Sequence, residues 1–204
     1  MCVTKYWLTF ITLIFLSCEP LQLNTEEIKI EQRSYYDIKG LINQQIKYLG
    51  NVSPEVQVIA TVNGTREEQK IDKSDSLFWV RTLSLVNKAD INQPALQGVY
   101  SEKDSVIHPT KNLKLKSFYP QQKQHTNVLY LNVYYDSTLS DIQYLETLVR
   151  DKNLLYVTER KMKLSFEDYQ GKTRLKRYEV FGKQKIIFGD TIHFTTTVIP
   201  AFHD

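Results

Sequence analysis

Cysteine is nearly missing from this chain: two in 204 residues, Cys2 and Cys18, both near the start. Beyond Cys18 there is no thiol, which excludes a disulfide framework in the body of the protein and leaves its fold to packing alone. Glycine is scarce as well, seven in all and scattered. No Gly-rich phosphate loop and no Gly-x-Ser-x-Gly elbow can be assembled from them. Long hydrophobic runs are also lacking. The longest apolar stretch, Tyr6 to Leu16, spans 11 residues, whereas a membrane-crossing helix needs about 20. Charge of one sign is not in excess: 26 Lys and Arg against 23 Asp and Glu give a net charge of +3, which makes no general case for nucleic acid. Fixed-period repeats and low-complexity blocks are absent too.

What is present begins with the leader. Lys5 precedes the apolar stretch, whose length suits a secretory h-region of about 7–15 residues. It closes on Phe15-Leu16-Ser17-Cys18. That tetrad resembles the lipobox of bacterial lipoproteins: Ser17 and Cys18 match the pattern, while Phe15 and Leu16 are bulkier than its usual residues. The resemblance implies cleavage before Cys18, a diacylglyceryl thioether on its sulfur, and residence in the envelope of a Gram-negative bacterium, held at the outer membrane. Cleavage there removes 17 of the 204 residues, leaves 187, and lowers the net charge to +2 with the loss of Lys5. Two or more acyl chains anchor stably where one does not, so the body needs no membrane span. The expected division is a signal peptide at 1–17, a tether at 18–32 with a short strand at Ile28–Ile30, and one α+β domain at 33–204.

Within that domain, Ser34-Tyr35-Tyr36-Asp37 has the spacing of a capping box. Tyr35, Ile38, Leu41, Ile42, Ile46 and Leu49 then form one apolar helix face. Gly50-Asn51 and Pro54 predict its end. Val56, Val58, Ala60 and Val62 alternate with polar residues up to Asn63-Gly64, the strongest short hairpin signal. The return arm to Ile71 is mostly charged and suits an edge strand. A second helix is predicted over 76–88, capped by Ser74 or Asp75, with Trp79 anchoring it. From Asn112 onward, two-residue alternation and short apolar runs predict five or six antiparallel strands in a meander. The fold class that results is α+β: two helices and a hairpin on a large curved antiparallel sheet. That arrangement looks like the half-barrel of the lipoprotein-localisation carriers of the Lol pathway, a likeness of architecture that no motif residue carries.

Candidate chemistry is sparse. The histidines at 108, 125, 193 and 203 lack close metal-ligand neighbours, so no metal and no cofactor is expected. Ser74, Ser101 and Ser165 are isolated. The carboxylate pairs Glu26-Glu27, Glu67-Glu68 and Glu167-Asp168 fall in wet settings, where nothing raises a carboxyl for acid catalysis. Seven tyrosines (130, 134, 135, 144, 156, 169 and 178) crowd the sheet half and suit half-buried strands. Lys172, Arg174 and Lys176 recur every second residue and would share one strand face, a possible patch for an anionic partner. The function these features fit is a non-enzymatic, membrane-anchored binding or assembly component with an envelope protein or lipid as partner. The alternative is a carrier or sensor of an apolar ligand held in a half-barrel cavity.

Overall fold

The computed structural model describes residues 34–108, 113–121 and 126–202. Cys18, the 1–17 and 18–32 segments, Ile28–Ile30, His125, His203 and the His108 side chain lie outside the described residues. The described residues belong to one compact unit, Arg33–Asp204. In order they form α1 (Ile38–Val52), β1 (Glu55–Val62), β2 (Thr65–Ile71), α2 (Ser76–Leu83), two 3-10 turns (Val86–Ala89 and Pro94–Leu96), then β3 (Tyr100–His108), β4 (Leu113–Pro120), β5 (Val128–Tyr135), β6 (Ile142–Lys152), β7 (Tyr156–Tyr169), β8 (Lys172–Ile186) and β9 (Thr191–Ala201). The fold is α+β, dominated by one antiparallel sheet of nine strands ordered β2-β1-β9-β8-β7-β6-β5-β4-β3. Strands β3 to β9 are a continuous meander, and the N-terminal hairpin joins it by pairing β1 with β9, Glu55 opposite Ala201 through Val62 opposite Phe194.

The helices differ from the expected ends in instructive ways. Asp37, not Ser34, is the N-cap of α1: its Oδ1 accepts from the Gly40 N–H at 2.8 Å. Tyr35 is thereby released from the helix and turns into the core. Its hydroxyl accepts from the Tyr100 N–H at 3.1 Å and donates to the Tyr100 carbonyl at 3.2 Å. Gly50 does not stop α1, which runs on to Val52 and ends at Ser53 with φ of 48°. A methyl at Gly50 would lie 2.2 Å from Ser76 Oγ, so this glycine serves the contact between the two helices. α2 ends five residues early, at Leu83. Ser84 Oγ donates to the Arg81 carbonyl at 2.8 Å, a back-bond that competes with helix continuation. The chain tightens into a 3-10 turn that delivers Val86 and Ala89 to the interior.

Ile38, Ile42 and Leu49 of α1, Trp79 and Leu83 of α2, and Leu131, Val133, Leu145, Met162, Leu164 and Leu175 of the sheet are fully buried in one cluster. Trp79 shows why Ser74 is not the cap. Ser74 Oγ is buried, donates to the Pro54 carbonyl at 2.6 Å and accepts the Trp79 indole N–H at 3.0 Å, while Asp75 caps α2. The sheet also splits. Pairing of β8 with β9 stops at Tyr178 opposite Val198, although β9 continues along β1. Gln45 of α1 takes the vacated place: its Oε1 accepts from the Leu175 N–H at 2.8 Å and its Nε2 donates to the Thr173 carbonyl at 2.9 Å. A side-chain amide thus completes a strand edge that would otherwise be left unpaired.

Candidate binding surface

Alternation divides β5 to β8 into a buried face and an outer one. On the outer face the register builds cross-strand rows. One row runs Tyr134, Tyr144, Ser165, Arg177, and the next runs Asn132, Glu146, Lys163, Glu179. A small residue, Ser165, sits between two long ones, and the row sinks there into an open groove. Two adjoining hollows of 520 Å³ and 340 Å³ share Tyr144 and Ser165. Glu167, Lys176 and Arg177 border the first; Tyr134, Glu146 and Glu179 border the second. Tyr134 and Tyr144 meet edge to face with ring centres 6.4 Å apart. The groove therefore offers aromatic edges, a hydroxyl and charges of both signs.

One of its carboxylates, Glu146, is held in the ionised form. Burial pushes Glu146 up, but hydrogen bonds from Tyr130 and Lys161 and the charges of Lys161 and Lys163 outweigh it and leave the carboxyl below its ordinary range. Tyr130 donates to Glu146 Oε1 at 2.9 Å, and its hydroxyl is pushed well up by burial and by that bond. Away from the groove, Glu159 is lowered first by its hydrogen bond from Lys183 and then by Arg150, although burial pushes the other way. Such carboxylates accept hydrogen bonds and pair with cations; proton donation needs the reverse shift. Among the described residues no three His, Cys, Asp or Glu side chains gather as metal ligands.

The lysine and arginine stripe is dispersed by its neighbours. Arg174 is largely enclosed, with Nε donating to Glu167 Oε1 at 2.6 Å and the guanidinium 4.0 Å from the ring centres of both Tyr169 and Phe202. Lys176 lies 3.8 Å from the other Glu167 oxygen and is well exposed. Lys172 pairs with Tyr169 where β7 turns into β8. Arg174 and Lys176 thus come together around one carboxylate, with the stripe's charge partly neutralised. Of the remaining candidates, Ser165 reaches the groove. Asp168 accepts from the Gly171 N–H within its own turn. Glu68 is paired with Arg66 on β2. The His193 backbone is tied to Asn63 at the hairpin tip.

Sequence reasoning missed Gln45, which stands inside an apolar helix stripe, and it missed the groove, which exists only once Ser165 lies between Tyr144 and Arg177. No protein-family model matches this sequence, and no curated protein matches it.

Proposed function

We propose that this protein is a non-enzymatic binding or assembly component of the cell envelope, tethered through lipid on Cys18, whose helices roof the concave face of a curved sheet and leave the outer face for a partner. The observation that carries this reading is the Tyr134–Tyr144–Ser165 groove, open and two-signed, lying opposite a face filled by Trp79, Leu83 and Ile42. Tyrosine side chains give large contact area at low entropy cost, with a polar tip for hydrogen bonds. The ionised Glu146 beside them supports recognition over acid catalysis. The burial of Trp79, Leu83 and Ile42 in one cluster with the sheet residues also weighs for surface binding over carriage of an apolar cargo.

Two measurements test the halves of this reading separately. Globomycin treatment is expected to leave an uncleaved precursor, and Cys18→Ala to abolish lipid attachment; unchanged maturation in both cases refutes the anchor. A photo-crosslinking amino acid at position 144 is expected to trap a discrete product in intact cells. Filling the groove with Ser165→Tyr is expected to abolish that product. A product that persists with the groove filled refutes the site.

A further inference from the structure

The meander sends the β1–β2, β4–β5, β6–β7 and β8–β9 turns to one end of the sheet. Two of these turns carry apolar side chains where polar turn residues are the rule. In the β6–β7 turn Leu154 is 88% exposed and Leu155 68%; in the β8–β9 turn Ile187 is 56% exposed and Phe188 98%. The two turns are neighbours, since Tyr156 opposes Ile186 and the Ile187 N–H donates to the Leu155 carbonyl at 3.0 Å. They are also braced. Asn153 Oδ1 accepts from the N–H groups of Leu155 and Tyr156 at 2.8 and 2.9 Å. These side chains are therefore held outward by the backbone, as one contiguous apolar projection.

Directly behind it, Lys152 of β6 and Lys185 of β8 both stand in register with Val157 of β7, one on each side. Both are exposed, and neither is in an ion pair among the described residues. Apolar tips ahead of two free cations match the layering of an anionic bilayer, acyl chains beneath charged headgroups. The chain also comes in at this end. Tyr35 bonds to Tyr100, the first residue of β3, and Tyr100 Oη donates to the Val128 carbonyl. Val128 in turn opposes Val149, three residues before Lys152. From Cys18 to Ser34 is sixteen residues, a reach of up to about 55 Å when extended.

We infer that the paired tips Leu154-Leu155 and Ile187-Phe188 insert into the acyl layer of an anionic membrane, with Lys152 and Lys185 on its phosphates. This gives the tethered body a fixed orientation, groove turned sideways along the membrane, and it rests on the anchored reading above.

The test places a tryptophan reporter on the full-length protein, matured in its host and reconstituted into phosphatidylcholine vesicles with and without phosphatidylglycerol. Phe188→Trp emission is expected to shift blue and to be quenched by brominated acyl chains, more strongly with phosphatidylglycerol present. Leu77→Trp, exposed on α2 toward the other end, is expected to stay unquenched. The buried Trp79 sets the background. Lys152→Gln with Lys185→Gln is expected to remove the phosphatidylglycerol dependence, each lysine accounting for about a fivefold change in binding. Unquenched Phe188→Trp on vesicle-bound protein overturns the inference, and so does equal quenching of both reporters. A crosslink from position 188 to a protein without quenching also overturns it and makes the tips a protein dock. Should mass spectrometry find no lipid on Cys18 while Phe188→Trp is quenched, the lipid anchor fails and the tips stand.

Discussion

Gln45→Leu is the most searching perturbation of this fold, because it keeps the volume of a fully buried side chain and deletes two hydrogen bonds. The Leu175 N–H is buried and loses its only neighbour on that edge. An unpaired buried backbone group costs about 1–3 kcal/mol. The Thr173 carbonyl is only partly enclosed, and water recovers some of its loss. Burying apolar atoms in place of an amide returns about 1 kcal/mol. The net expectation is a loss of about 1–2 kcal/mol, or about 2–8 °C in Tm for a domain of this size. Urea unfolding followed by circular dichroism measures the first quantity. Hydrogen exchange at the Leu175 amide reports the site itself and should lose protection selectively. A stability change under about 0.5 kcal/mol, or undiminished protection of that amide, refutes the argument that a side chain stands in for a strand here.

Three further expectations follow from contacts described above. Gly182→Ala would put a methyl 2.0 Å from the Phe194 ring lying over it. It should destabilise by about 1–3 kcal/mol, and in a Phe194→Ala background by almost nothing, as a double-mutant cycle would read. Gly50→Ala should be similarly costly and be relieved by Ser76→Gly, which removes the hydroxymethyl it meets; an unrelieved loss would place the strain elsewhere. Acid should weaken the fold: Glu146 and Glu159 have folded-state values below the ordinary 4.5, so the stability they contribute is present above it and is lost as pH falls through the lower, native values. Urea midpoints measured against pH should show that acid limb, and Glu146→Gln with Glu159→Gln should flatten it.

Much of this architecture was written locally in the chain. Asn63 and Gly64 both take positive φ, 47° and 90°, as an Asn-Gly hairpin turn demands. The alternation in β5 to β8 needed only the two-residue pleat. The apolar stripe Ile38, Ile42, Leu49 needed only the helical period. What escaped was set by partners far away in sequence. Gln45 looks like a flaw in an apolar stripe until Leu175, 130 residues on, supplies its counterpart. Gly50 reads as a stop until Ser76 of the other helix is brought against it. Arg174 belongs to a basic run in sequence, but Tyr169, Phe202 and Glu167 enclose it in the fold. Leu155 and Phe188 stand far apart in the sequence, and nothing local joins them. Their joint projection depends on β7 and β8 pairing far enough to align the two tips.

The place of β9 has a consequence for biogenesis. Residues 191–201 are the bridge between the first hairpin and everything else, with Glu55 waiting for Ala201. The meander can zip up progressively as it emerges, since each of its strands pairs with the one before. The opening hairpin finds its partner in the larger sheet only when the polypeptide is almost finished. Pairing β1 with β9 closes a long loop, an entropic cost that the consecutive strand pairs of the meander do not carry. The charged outer arm Arg66, Glu67, Glu68 and Lys70 keeps the waiting hairpin from sticking to other nascent chains in the interval.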